Sequence, residues 1–218
     1  MLGCLLIPAV LAAQEFSYVH YDTKDGLAGS TVYNMCQDKD GLLWFATENG
    51  LSRYDGTHFK NFTVKDGLPD NEVLKVFTDS KGRVWIGTFS KEICFYFNGK
   101  IHTRENDSLV KKIKLSASLY SIAEDNFHYL GMSDNSSAII ITPSDSVIMY
   151  NLNHLYTKEH LYGGKITKHY GKLLLGSENE ESFEYNPGTW AWNRTDVFEK
   201  GLKSGTRIKM DSFARDVK

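Results

Sequence analysis

Sliding the sequence along itself by 41 residues brings Lys24-Asp25-Gly26-Leu27 onto Lys65-Asp66-Gly67-Leu68. At the same offset Val32 meets Val73, Asp38 meets Asp79, Gly41 meets Gly82, Trp44 meets Trp85 and Thr47 meets Thr88. Nine of the 24 positions from 24 to 47 are therefore identical in the second copy, and most of them are glycine, aspartate or tryptophan. Such residues mark turns and core anchors, so the repeat fixes backbone geometry rather than composition. A period of about 40 residues means one supersecondary unit that buries its apolar face only against its neighbours.

Within the unit the turn signals outline four short strands. Residues Val32 to Gln37 make an innermost strand, and Asp38-Lys39-Asp40-Gly41 makes a tight hairpin in which Gly41 supplies a positive φ. Leu42 to Thr47 follow as the second strand, Leu51 to Tyr54 as the third and a run near Phe59 to Phe62 as the fourth. Turns recur too often to leave room for the helices of α/β units. Four strands per unit of this length is the pattern of a β-propeller blade.

Two weaker copies follow. Ser121-Ile122-Ala123-Glu124-Asp125 matches the inner strand, and Tyr129-Leu130-Gly131 takes the place of Trp85-Ile86-Gly87, with a hairpin that has lost its glycine and is shorter. Tyr170 to Ser177 matches Lys81 to Thr88, and Gly87, Gly131 and Gly176 are spaced by 44 and 45 residues. The expected architecture is all-β, with four-stranded antiparallel blades over approximately 26–63, 67–104, 118–155 and 163–198 and a fifth blade beginning at 201. Residues 16–21 align with Phe59 to Phe62 and are expected to form an outer strand without inner strands of its own. Propeller rings usually hold about 4–8 blades. Four blades with a partial blade at each end are expected to make an incomplete ring, from a truncated chain or a fragment, with exposed edges prone to pairing.

Residues 1–13, MLGCLLIPAVLAA, are apolar, end in small residues and give way abruptly to Gln14. They are too short to span a bilayer and suit the core and cleavage site of a secretory signal, though a basic leading segment is missing. Pro8 and the polar switch after Ala13 weigh against a buried strand there. No later apolar run is long enough for a membrane helix. Cys36 and Cys94 occupy non-equivalent places in their units without metal-type spacing. They read as buried free thiols, with a disulfide open to them after export.

The search for chemistry is mostly negative. With a net charge of −2 and no basic stretch longer than Lys111-Lys112-Ile113-Lys114, no nucleic-acid surface is expected. Gly99-Lys100 and Gly171-Lys172 lack the rest of a phosphate loop, and no nucleophile elbow is present. The seven histidines are scattered; His154 and His160 read as solvated surface. Asp38-Lys39-Asp40-Gly41 lacks the further ligands of a calcium loop and reads as the hairpin. Trp44 and Trp85 recur at one blade position and read as packing between sheets; Trp190 and Trp192 have no repeat counterpart. These two fit outer-strand packing better than stacking on a sugar. Asp70 and Glu72 are the carboxylates directly before an inner strand, and spacing gives them no partner. Catalytic, cofactor and metal residues are therefore not assigned.

The units resemble the two-component regulator propeller repeat, which runs G-L-x-x-N-x-V, a short gap, then D-x-x-G-x-(I/L/V)-W-(I/F)-(G/A)-T. Gly67-Leu68-Pro69-Asp70-Asn71-Glu72-Val73 with Asp79, Gly82 and Val84-Trp85-Ile86-Gly87-Thr88 fits it closely. Gly26-Leu27, Val32, Asp38, Gly41, Trp44-Phe45-Ala46-Thr47 and Asn49-Gly50-Leu51 to Tyr54-Asp55-Gly56 fit nearly as well. The resemblance is close over 16–99 and weak beyond. It implies the periplasmic sensing part of a hybrid two-component system or sensor histidine kinase, non-catalytic in itself. The implied ligand is an oligosaccharide or another small periplasmic molecule. The kinase and membrane parts of such proteins have no counterpart in the sequence; any kinase activity would lie outside it. The implied protein partners are remaining blades or another propeller chain at the exposed edges. Two other readings stay open: an exported propeller enzyme of the glycan lyase or hydrolase kind, and a scaffold for other proteins.

Overall fold

The computed structural model describes residues 19–134, 136–152, 164–176 and 182–195. They form four four-stranded antiparallel sheets in which the strands follow one another in chain order. The first sheet is β1 (Val32–Gln37), β2 (Leu43–Thr47), β3 (Gly50–Tyr54) and β4 (Phe59–Phe62). The second is β5 (Val73–Thr78), β6 (Val84–Thr88), β7 (Ile93–Phe97) and β8 (Lys100–His102). The third comprises β9 (Ser121–Glu124), β10 (Leu130–Ser133), β11 (Ser137–Ile141) and β12 (Val147–Asn151). The fourth comprises β13 (Lys165–His169), β14 (Lys172–Gly176), β15 (Ser182–Asn186) and β16 (Ala191–Thr195). The inner strands β1, β5, β9 and β13 lie side by side in that order, as propeller blades do, and the four described blades leave the ring open. The expected secretory segment, the start of a fifth blade and His154 and His160 all lie outside the described residues. Residues 19–21 carry no regular strand, although the Tyr21 ring meets Phe59 edge-on at 5.6 Å.

Three apolar clusters fill the spaces between the blades. Trp44, Leu51 and Phe62 of the first blade pack on Val76, Ile86 and Cys94 of the second. Trp85, Ile93 and Phe95 of the second blade pack on Leu130, Ile139 and Ile141 of the third. Ala138, Ile140 and Tyr150 of the third blade pack on Leu173, Leu175 and Phe183 of the fourth, with Tyr129 against them. The tryptophan position of each blade thus faces the blade that follows, and the residue after it faces the blade before. In the third copy the hairpin is as long as in the first two, Asp125 N donating to Tyr129 O as Asp79 N does to Arg83 O, rather than shorter. Gly131 therefore takes the tryptophan's place opposite the inner strand, and Tyr129 faces the fourth blade from two residues earlier. The alternation of a strand, one residue to each face, makes both interfaces from a single run.

The repeated aspartate anchors the repeated tryptophan. Trp44 Nε1 donates to Asp38 Oδ2 at 2.7 Å, and Trp85 Nε1 donates to Asp79 Oδ2 at 2.8 Å. A buried indole N–H needs such an acceptor, because leaving it unpaired costs about 1–3 kcal/mol. The hairpin glycines Gly41 and Gly82 sit at φ +84° and +80°. In the third blade that place is taken by His128 at φ +65°, so the turn persists without its glycine.

Between the second and third blades the connector contains a short helix, α1 (Ser108–Lys112), which the turn-rich sequence had not shown. Asp107 caps it by accepting from the backbone N–H groups of Leu109 and Val110 at 2.8 and 3.1 Å. Leu109, Val110 and Ile113 plug the second interface from the side. No helix among the described residues is long and apolar enough to cross a membrane.

Candidate ligand-binding mouth

Antiparallel strand order sorts the loops onto two ends. Connectors leading into the inner strands, and the turns between second and third strands, lie at one end, here the mouth. The hairpins joining first to second and third to fourth strands lie at the other.

At the mouth the blades differ in how they tie down the connector. In the first blade Glu48, in the turn after β2, accepts from Ser30 N at 2.9 Å and Thr31 N at 2.8 Å. Desolvation alone would raise its carboxyl, but these bonds and one from its own backbone outweigh it and hold the pKa below the ordinary value. In the third blade Asp134, in the turn after β10, accepts from Ser116 N at 2.6 Å and from Ser136 N at 2.8 Å. It too sits below the ordinary carboxylate range, hydrogen bonds overcoming a burial that works the other way.

The second blade breaks this pattern. The residue 41 positions after Glu48 is Phe89, whose ring projects into solvent at 59% exposure. Only its backbone holds the connector, Phe89 N donating to Glu72 O at 2.9 Å. The acidic group has moved to the connector itself. Glu72 Oε1 accepts from Tyr33 Oη of the first blade at 3.0 Å, and this bond is the leading cause of a raised Tyr33 pKa. Asp70 turns inward to accept from Glu72 N at 3.2 Å. Ser118 Oγ donates to Phe89 O at 3.0 Å, which ties the third connector to the second blade. Tyr120, directly before β9, is exposed, as is Tyr33.

The mouth therefore presents Tyr33, Phe89 and Tyr120 at the same end of the blades as the half-buried carboxylate of Glu72, which Tyr33 contacts directly. Aromatic faces with a single acceptor among them can stack on a flat ligand and accept hydrogen bonds from it. General acid–base chemistry asks for a second titrating group within reach, and the one bonded to Glu72 is the phenol of Tyr33 at 3.0 Å. The described histidines are elsewhere: His20 exposed next to Tyr21, His58 in an outer turn, His102 on β8 bonded to Asp107 at 3.1 Å, His128 and His169 at the hairpin end. Among the described residues no group of three or more histidine, cysteine or carboxylate side chains could hold a metal ion.

The other residues singled out in the sequence divide cleanly. Asp38 to Gly41 is a hairpin, its carboxylate spent on Trp44 and on the backbone of Asp40 and Leu42. Cys36 and Cys94 are free thiols, Cys94 fully buried and Cys36 half-buried beside Thr78, and burial raises the pKa of both. Trp192 is fully buried in the third cluster, as outer-strand packing requires, whereas Trp190 is half exposed. Glu72 was visible as a candidate; Tyr33, Phe89 and Tyr120 were not. The replacement of Glu48 by Phe89 at an otherwise kept offset was the available signal.

Residues 26–49 and 67–90 match the family model of the two component regulator propeller. No curated protein sequence matches the chain. Among solved structures, the extracellular domain of a hybrid two component system from B. thetaiotaomicron superposes with a TM-score of 0.63 at 20% identity. That match covers 82% of this chain and 25% of the other. The extracellular domain of a second such system from the same organism gives 0.55 at 19% identity, covering 82% of this chain and 24% of that one. Virginiamycin B lyase from Staphylococcus aureus gives 0.57 at 15% identity, covering 78% and 56%. These likenesses establish the propeller fold. The chain spans about a quarter of the length of the two extracellular domains.

Proposed function

We propose, from the premise that the first two blades are two component regulator propeller repeats, that this chain is a non-catalytic ligand-sensing propeller of a two-component signalling protein, exported to the periplasm. The observation that carries the reading is the second blade's departure from its neighbours at the mouth. An acidic clamp is replaced there by the exposed Phe89, and a carboxylate is turned toward Tyr33 of the adjacent blade. A purely structural repeat would keep the clamp, which the first and third blades do.

The site is suited to a small polar ligand, an oligosaccharide being the first to test, held across three blades so that binding bears on their relative placement. Loops carried on a rigid scaffold are where such sites are built. Calorimetric titration of the purified chain with oligosaccharide pools and small polar metabolites tests the reading. Saturable binding that weakens roughly tenfold in Glu72→Gln or Phe89→Ala is expected, the loss of one hydrogen bond to a charged group or one stacking contact. Binding indifferent to both substitutions sinks the site assignment. Product formation from any bound sugar supports instead an exported lyase or hydrolase, the chemistry of one structural neighbour's class.

A further inference from the structure

The end of the blades opposite the mouth carries a second set of exposed aromatic side chains. Tyr170 is 92% exposed at the tip of the β13–β14 hairpin, and Trp190 is 51% exposed in the turn joining β15 to β16. Both tips lie at the same end of the fourth blade. Two strand spacings separate them, about 10 Å. Phe127, 62% exposed, stands on the neighbouring tip of the third blade, and that tip is bound to the Tyr170 turn through Asn126 N donating to Gly171 O at 2.8 Å.

The backbone at these positions is unusual. Tyr170 sits at φ +45° and Trp190 at φ +52°. Bulky residues avoid this region, and a hairpin tip favours asparagine or glycine there. Among the described residues the Tyr170 ring has little to pack on. Tyr170 touches only its neighbour His169, at 4.3 Å between ring centres, and the Trp190 turn is held through its carbonyl, which accepts from Tyr150 Oη at 3.2 Å. A tyrosine held open at a strained tip and a tryptophan that leaves half its surface to solvent beside it are the mark of a site.

We infer that Tyr170 and Trp190, extended by Phe127, form a second binding platform, distinct from the mouth, that stacks on the ring faces of a neutral saccharide chain. Charged groups at this end are already engaged: Lys172 Nζ pairs with Glu184 Oε1 at 2.6 Å, and Glu124 accepts from Ser80 N and Oγ at 2.8 and 2.6 Å. Recognition there rests on apolar faces and polar edges, which a pyranose offers. Stacked nucleobases would bring phosphates and need a concentrated basic groove, which a chain of net charge −2 does not gather here. A protein partner would favour one contiguous apolar patch, whereas these rings stand singly on separate tips.

The test is calorimetric titration of the full chain with cellohexaose, laminarihexaose and xylohexaose, with tryptophan emission recorded alongside. Saturable binding of at least one is expected, with a shift in emission as Trp190 is covered. Tyr170→Gly and Trp190→Gly are each expected to weaken it by roughly tenfold, as loss of one stacking contact does. Both retain the wild-type circular dichroism, and Tyr170→Gly melts no lower than wild type. Lys112→Ala, exposed on α1 and outside both sites, leaves this binding within about twofold. Absence of binding to all three sugars overturns the proposal. So does binding lost in Tyr33→Ala and kept in the platform variants, which would return the sugar to the mouth. Self-association abolished by Trp190→Gly, without sugar binding, would make the platform a protein contact and equally overturn it.

Discussion

Replacing Asp79 by alanine should cost more than the same change at Asp38, its counterpart one repeat earlier. Both carboxylates accept an indole N–H, at 2.8 and 2.7 Å. Both also bind backbone at the hairpin, Arg83 N in one case and Leu42 N in the other, each at 2.9 Å. The difference is the side chain at that position. Arg83 is buried, donates Nε to Asp79 at 2.6 Å and lies over the rings of Trp85 and Phe95 at 5.1 and 5.6 Å. Losing Asp38 strands neutral donors only, worth about 1–3 kcal/mol. Losing Asp79 also strands a buried guanidinium, a class of change that costs about 3–5 kcal/mol. Arg83 keeps Asp145, at 2.9 Å and partly exposed, so the lower end applies. The expected gap between the variants is about 2 kcal/mol, roughly a thirtyfold difference in the folding equilibrium. Urea unfolding followed by tryptophan emission and by far-ultraviolet circular dichroism measures it, provided the two probes coincide. Removing the stranded charge in Asp79→Ala/Arg83→Met should recover part of the loss. If Asp79→Ala is no worse than Asp38→Ala, or if Arg83→Met deepens its defect, the reasoning fails.

Other changes follow from the same geometry. An alanine at Gly87 would put Cβ 2.8 Å from Leu119 Cβ, so Gly87→Ala should cost about 1–3 kcal/mol by overpacking. Gly176→Ala, whose nearest neighbour would be 4.0 Å away, should be close to neutral in the same melt. Tyr170→Asn creates an Asn-Gly hairpin tip and relieves a left-handed tyrosine, so thermal stability should rise by about 1 kcal/mol. A lower melting temperature would show that the ring packs after all. Asp134 has a depressed pKa in the folded chain, so its contribution is present above the ordinary carboxylate value near 4 and fades as pH falls through the lower folded value. Asp134→Asn should therefore melt below wild type at neutral pH, with the difference shrinking in acid. A constant difference would place the defect elsewhere.

The fold was legible because the repeat wrote its geometry in residues that have few substitutes. Gly41 and Gly82 mark left-handed hairpin positions, and Trp44 and Trp85 mark the interface, so an offset of 41 was enough to lay out two blades. The third copy was aligned through Tyr129 and Gly131 two residues out of register, because a shortened hairpin was assumed; Gly131 stands where the tryptophan does, and Tyr129 shares its face. The aspartates were read as turn residues only; their second task, accepting the indole proton, needs the strand pairing that folds Trp44 back over Asp38. The mouth was far less legible. Tyr33 and Glu72 are 39 residues apart and on different blades, and no periodicity within a blade joins them. Of the platform residues Trp190 was singled out but assigned to outer-strand packing, and Tyr170 was not seen as a candidate. Tyr170 and Trp190 stand where sequence habit expects glycine or asparagine, and their exposure follows from turns that only the coordinates reveal.

The one-way seating of each blade on the next has an evolutionary corollary. Because the bulky side always points toward the later blade, a newly duplicated unit inherits a face compatible with both of its neighbours wherever it is inserted. Copy number can then grow or shrink by whole units without inventing a new joint. The joint also tolerates drift, since the place held by tryptophan in two blades falls to Gly131 in the third, with Tyr129 two residues earlier on the same face, and to Leu174 in the fourth. Selection on such an array acts on the loops one unit at a time, leaving each blade free to acquire its own chemistry while the stack keeps its pitch.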